Sequence, residues 1–333
     1  MSHITLKDIA REAGVSTTTV SRALNNKNDI SISTKQRILK LAKEMGYTPN
    51  AIARGLKIKQ TQTVGVAIAD ISDPFFAPIV KGIEKAAHQE GYHIILCDTD
   101  EDYKKEEEAL RTLIEKRVDG LLVTPAQTDY KDITELKRRK IPFVLLGRHF
   151  NFELFETDYV ATDDIEGAFS ATTYLIKKGH KRILFINGPD YVSSAKERLA
   201  GYKRALLEAG IGIDQSLIRK GGIKMEDGYK IMKEELKKSL NFTAVFAYSD
   251  FVALGVIKAL KEAHLKIPRD IAVVGYDDIE VAAFLEVPLT TVRIPKYELG
   301  VEGFKLLKRK IANEISSPQK VILPTELIIR KSA

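Results

Sequence analysis

Thr17, Thr18, Ser21, Arg22 and Asn25 share one face of a short amphipathic stretch, opposite Val20, Ala23 and Leu24. That face offers hydroxyl, guanidinium and amide groups and no carboxylate. Such groups suit base edges: Arg pairs bidentately with guanine, and Thr or Ser can contact base edges or a thymine methyl. A second set of polar residues follows the apolar runs further along the chain. It comprises Asp70 and Asp73, Asp98, Thr124, Arg148, Asn187, Asp250, and Asp277 with Asp278. Phe75, Phe76, Tyr248 and Tyr276 accompany them. Carboxylates beside flat apolar faces suit a polyhydroxylated ligand such as a sugar. Asp73, before Pro74, and Asp250 can equally cap the helices after their strands.

Other chemistries lack their residues. The sequence has no G-x-x-x-x-G-K-[ST], no G-x-S-x-G, no H-E-x-x-H and no G-x-G-x-x-G after the first strand. His3, His88, His93, His149, His180 and His264 are scattered without metal-ligand spacing. We therefore expect a non-enzymatic protein with neither metal nor cofactor. The single cysteine, Cys97, lies in the apolar run YHIILC and is expected to be buried packing. No apolar run approaches the ~20 residues of a membrane span, and MSHITLKDIA has no stretch suited to a signal peptide. A cytoplasmic protein is expected.

Charge locates the polar helix in a basic segment. Residues 1–60 hold 11 Lys+Arg against 4 Asp+Glu, so the whole net charge of +7 lies there and the remainder is neutral. A basic arm beside a neutral body is the footprint of a nucleic-acid binder. The polar helix, 17–24, follows a first helix over 5–13, where Thr5 and Asp8 form a capping box. Gly14-Val15-Ser16 makes the turn: Gly14 takes a positive φ, Val15 plugs the angle and Ser16 caps the next helix. A third helix is predicted over 33–45, capped by Ser33 with Gln36 and ended by Gly46. This is a helix-turn-helix, whose second helix enters the major groove.

Tyr47-Thr48-Pro49-Asn50-Ala51-Ile52-Ala53-Arg54-Gly55-Leu56-Lys57 follows. Asn50 can cap about two helical turns, too short to persist alone. Leu56 among Arg54, Lys57 and Lys59 either packs on its own domain or enters the base stack from the minor groove.

From Thr63, apolar runs alternate with helical stretches: 64–69, 92–97, 120–124, 143–147, 182–187, 244–249 and 271–276, then late strands at 319–323 and 326–329. Near-continuous apolar strands between helices predict parallel sheets covered on both faces, with ligands outside the strands' carboxyl ends.

TLKDIAREAGVSTTTVSRALN and YTPNAIARGLK resemble the headpiece and hinge of the lactose-repressor/galactose-repressor (LacI/GalR) family. STTTVS looks like its purine-repressor branch and PNAIARGLK like its catabolite-control branch. DISDPFFAPIVKGIE, KRVDGLLVTP, LIKKGHKRILFINGP, ERLAGYKRAL, AVFAYSD, VALGVIKAL, IAVVGYDDI and PLTTVRIP follow in family order. The resemblance implies an all-α helix-turn-helix headpiece and an α/β periplasmic-binding-protein-like core of two doubly wound parallel-sheet lobes. The implied domains are a headpiece at 1–48, a hinge and linker at 49–60, one lobe from 61–162 with 292–323, and the other from 163–291 with 324–333.

It also implies a repressor whose affinity for a pseudo-palindromic double-stranded operator responds to a small effector, a sugar or sugar phosphate. The candidate DNA interface is Thr5, Ser16, Thr17, Thr18, Ser21, Arg22, Asn25, Tyr47, Asn50, Ala53, Arg54, Leu56 and Lys57, with Leu56 as the wedge. The candidate effector site is Phe75, Phe76, Arg148, Ser194, Arg198, Asp250 and Asp277. Where the purine branch grips its base, this chain has Val192 and Lys224, which argues against a purine. Arg148, Lys196 and Lys224 either make the cleft basic or point to solvent. A homodimer is expected, because paired half-sites need a two-fold protein and the last residues, IIRKSA, hold no heptad repeat. A corepressor protein, as in the catabolite-control branch, is left open.

Overall fold

A computed structural model describes residues 4–27, 29–47, 60–150, 156–238 and 240–333. The chain divides into two compact units, Met1–Thr61 and Gln62–Ala333.

In the first unit, α1 (Leu6–Ala13), α2 (Thr17–Leu24) and α3 (Ile32–Glu44) pack around Ile9, Val20 and Ile38, all fully buried. Removing each such side chain from water contributes ~1.5–3 kcal/mol. The α1–α2 turn needs a left-handed residue, and Gly14 supplies it at φ 62°. Ser16 Oγ then accepts from Thr19 N at 3.1 Å and caps α2. The third helix begins earlier than the sequence predicts. Ser31, not Ser33, is its cap, with Oγ accepting from Thr34 N at 3.2 Å. Two serines in one short stretch offer competing caps, and the earlier one adds residues to the helix.

The second unit holds two parallel sheets. The first runs in the order β11 (Lys320–Leu323), β5 (Tyr159–Thr162), β4 (Phe143–Leu146), β3 (Gly120–Val123), β1 (Thr63–Ile68), β2 (His93–Asp98). The second runs β7 (Ile218–Lys220), β6 (Ile183–Asn187), β8 (Ala244–Ala247), β9 (Ala272–Val274). β10 (Thr291–Arg293) and β12 (Glu326–Ile328) form an antiparallel ribbon. The chain thus leaves the first sheet after β5, builds the second, and returns to pair β11 with β5 from Lys320↔Tyr159.

Helices α4 (Phe76–Gln89), α5 (Tyr103–Glu115), α6 (Lys131–Arg138) and α11 (Lys296–Ile311) belong with the first sheet. Helices α7 (Asp164–Lys177), α8 (Ser193–Glu208), α9 (Met225–Leu236) and α10 (Asp250–Glu262) belong with the second. α4 and α11 meet backbone to backbone. A Cβ at Gly82 would stand 2.1 Å from Tyr297 O, and one at Gly300 2.1 Å from Ile79 O, so any side chain there would push the helices apart. Among the described residues no helix is long and apolar enough to cross a membrane.

Three short strands, β5, β7 and β10, are not legible in the sequence, because YVAT, IRK and TVR mix polar residues into short stretches where no apolar run stands out. The run containing β2 looked fully buried, yet β2 is an edge strand whose Ile95 and Leu96 are more than a third exposed. Cys97 beside them is half-buried.

Candidate functional site

Strand after strand delivers a residue from its carboxyl end to one cleft between the two lobes of the core. Asp73, Phe75 and Phe76 follow β1, Glu101 follows β2, Thr124 follows β3, Arg148 follows β4 and Asp164 follows β5. Asp164 already opens α7 of the other lobe, which also supplies Ser194 and Arg198 on α8, Tyr248 and Ser249 after β8, and Asp277 after β9. The space they surround, its open mouth included, is about 570 Å³.

Arg198 is the centre of one wall. Its Nε lies 3.3 Å from Asp164 Oδ1 and its Nη2 lies 3.4 Å from Asp277 Oδ1; Nη1 donates to Tyr248 O at 2.5 Å. The guanidinium carbon stands 3.7 Å from the Tyr276 ring centre and 4.5 Å from that of Tyr248, a cation–π arrangement. Burial pushes the carboxyls of Asp164 and Asp277 upward, and Arg198 opposes the shift in both. Opposite, Arg148 makes two parallel bonds to Glu101, 2.6 and 2.7 Å, and a third to Pro125 O at 3.1 Å. Phe75 and Phe76 meet edge to face with ring centres 5.0 Å apart. Asp73 Oδ1 accepts from Phe75 N, and burial pushes its carboxyl up to about 6. Ser194 Oγ lies 2.8 Å from Tyr248 Oη.

Asp277 and Asp278 have φ of 103° and 52°, strained for residues with a Cβ. Their turn is held from several sides. Lys296 bonds both carbonyls, Arg330 and Arg293 pair with Asp278, and Ile279 N donates to Asp250 Oδ2 at 2.9 Å. The lobes also touch beside the cleft. Ser193 N donates to Gln127 Oε1 at 2.9 Å, His149 N donates to Ser193 Oγ at 3.1 Å, and His149 Nε2 lies 2.8 Å from Glu197 Oε1.

Of the residues expected to hold an effector, Phe75, Phe76, Arg148, Ser194, Arg198 and Asp277 come together on the wall, and Asp250 does not. Asp250 is fully buried behind it. Its Oδ1 accepts from Thr291 Oγ1 at 2.6 Å and its Oδ2 from Ile279 N, while burial pushes its carboxyl up to about 7. Asp250 thus props the Asp277 turn, and its neighbour Ser249 caps α10 and lines the cleft. Other strand-end carboxylates are also spent locally: Asp70 binds Ser72, and Asp98 takes Ile71 N. The charged wall residues missed in the sequence are Glu101 and Asp164. Glu101 sits within the acidic run DTDED, and Asp164 follows the unread β5. The cleft is not basic: Lys196 is exposed and off the wall, and Lys224 Nζ lies 3.5 Å from Asp100.

In the small unit, Thr5, Ser16, Thr17, Thr18, Arg22 and Asn25 are exposed, with Ser21 and Tyr47 partly so. Arg22 pairs with Asp29 at 3.1 Å, and Asn25 Nδ2 donates to Ser21 O at 2.7 Å. Asn50, Ala53, Arg54, Leu56 and Lys57 lie outside the described residues. Among the described residues no cluster of His, Cys, Asp and Glu is placed to hold a metal.

A basic helix-turn-helix unit with a two-lobed, ligand-clefted α/β core defines a DNA-binding regulator controlled by a small molecule. Residues 5–50 match the family described as bacterial regulatory proteins, lacI family, and residues 61–331 match the periplasmic binding proteins and sugar binding domain of LacI family. This chain belongs to the LacI family, whose members regulate transcription and are not enzymes. It is 38% identical to the ribose operon repressor of Escherichia coli strain K12, over 99% of each chain. Among solved structures, the Lac repressor dimer bound to operator and the anti-inducer ONPF aligns with TM-score 0.89 at 27% identity, covering 99% of each chain. A LacI family regulator from Enterococcus faecium with bound ribose aligns with TM-score 0.72 at 30% identity, covering 81% of this chain and 98% of that one.

Proposed function

We propose that this regulator binds a pseudo-palindromic operator as a homodimer, and that a sugar seated in the cleft against Arg198 and Asp277 changes its affinity for that operator. The Arg198 arrangement supports the ligand reading most strongly. Three of its five N–H groups are engaged and two are left to donate to sugar hydroxyls. Phe75 and Phe76 supply flat apolar walls for the sugar's C–H faces. Ribose is the first candidate, because it is the sugar of the 38%-identical repressor's operon and the ligand of the Enterococcus structure. Thr17, Thr18 and Arg22 read the major groove. Asn50, Ala53, Leu56 and Lys57 form a hinge helix when paired on DNA, with Leu56 between base pairs. Ligand acts only through its unequal affinity for the two lobe arrangements.

The test is anisotropy of a labelled operator duplex with D-ribose, D-glucose or D-fructose titrated in, beside thermal melts of the protein. At least one sugar should raise the melting temperature and shift operator affinity fivefold or more, a typical allosteric coupling. No response to any of the three neutral sugars or their phosphate esters would end the carbohydrate reading.

A further inference from the structure

Four carboxyl groups, Asp73, Glu101, Asp164 and Asp277, line the cleft against two cations, Arg148 and Arg198, among the described residues. Both cations are already balanced. Arg148 is gripped by Glu101 through two bonds, and their side chains are only 9% and 13% exposed. Arg198 stands between Asp164 and Asp277. Helix N-termini at the cleft are another source of anion affinity, and at three of them one N–H is already taken by a protein oxygen. Ser193 N donates to Gln127, Val252 N to Ser249 and Glu166 N to Asp163.

A phosphate ester carries roughly −1.5 to −2 at neutral pH, and its burial requires compensating charge. A neutral sugar does not. Its hydroxyls donate to carboxylate oxygens, which this cleft has in excess, and accept from the spare N–H groups of Arg198.

We propose that the Glu101–Arg148 pair is the specificity element of the cleft: by cancelling the charge of Arg148 it excludes phosphorylated sugars and admits the free sugar. The proposal rests on the carbohydrate reading above and goes beyond it, since that reading admits either form. Glu101 is well suited to the role. It sits outside the strand, in a loop where Asp100 and Glu101 both have positive φ, and it reaches across to Arg148 on the loop after β4.

The full chain is titrated calorimetrically with D-ribose, D-glucose and D-fructose and with ribose 5-phosphate, glucose 6-phosphate and fructose 6-phosphate. The wild type should bind one free sugar at least tenfold more tightly than its phosphate ester. Glu101→Gln, which frees the guanidinium, should shift that ratio toward the ester by roughly tenfold or more. Adding Arg148→Gln should reverse the shift. An ester that binds wild type as tightly as its parent sugar overturns the proposal and leaves the carbohydrate site standing. So does an unchanged ratio in a Glu101→Gln protein that melts cooperatively. Binding of none of the six defeats the carbohydrate reading, and the proposal with it. The wild-type preference needs no variant, so a Glu101→Gln protein that fails to fold still leaves a decisive measurement.

Discussion

Glu106 and Asp132 are buried side by side, and each has one carboxyl oxygen bonded to backbone, Glu106 to Ala126 N at 2.7 Å and Asp132 to Ile133 N at 2.7 Å. Burial pushes the Glu106 carboxyl up to about 9, with Asp132 adding to the shift. Near neutral pH the pair therefore shares a proton, and it steadies the loop whose Pro125 and Gln127 touch Arg148 and the second lobe. The folded chain binds a proton here that the unfolded chain has released, so stability falls as pH rises from about 4.5 toward about 9. Asp250 contributes with the same sign between about 4 and about 7. Glu106→Gln cannot ionise and retains a donor and an acceptor. Its melting temperature should gain on that of wild type from about pH 5 upward, and the gap should level off above about pH 9. Parallel melting curves across that range would show that the pair does not share a proton. Environment separates such carboxylates. Asp277 and Asp250 both follow second-lobe strands, yet only Asp277 reaches the cleft, because the Thr291 hydroxyl and Ile279 N hold Asp250 behind it.

At the scale of elements, caps and returns decide what the pattern of apolar residues leaves ambiguous. The choice between Ser31 and Ser33 moves the start of α3 and is settled by which hydroxyl meets a free N–H. Ser31→Ala should cost about 1 kcal/mol of headpiece stability, as cap removals typically do, and Ser33→Ala only a few tenths. Amide exchange along α3 measures both, and a larger loss in Ser33→Ala would restore the later start. β5 shows a different limit. Its YVAT, polar at both ends and flanked by polar residues, makes no apolar run, so Asp164 is not recognisable in the sequence as standing at a strand's end. β11 was visible as a strand, but its partner β5 lies about 160 positions earlier, and no local signal carries that pairing.

Across the whole molecule, charge and ligand chemistry are divided between the units. The entire surplus of +7 lies in residues 1–60, so operator affinity should fall steeply with salt through counterion release. A chain lacking residues 1–60 should lose operator binding yet keep its sugar-induced thermal shift. An operator shift that survives the truncation would place the DNA contacts elsewhere. In the proposed hinge, Leu56→Ala should weaken operator binding and reduce bending, while sugar affinity without DNA stays unchanged. Gel mobility of bent duplexes alongside calorimetry checks both halves.

Local chemistry was enough to determine the class of protein. The polar face of 17–25, the Gly14 turn, the basic segment and the alternation of apolar strands with helices are short-range properties, readable because helix and strand periods repeat within a few residues. The cleft is another matter. Its walls come from residues 73 to 277, and which of many strand-end carboxylates faces the ligand depends on loops that spend some of them on backbone N–H groups and leave others free. The absence of a basic surplus in the cleft is likewise tertiary. Arg148 and Lys224 look in sequence like a basic pocket, and only folding sets Glu101 against the first and Asp100 beside the second.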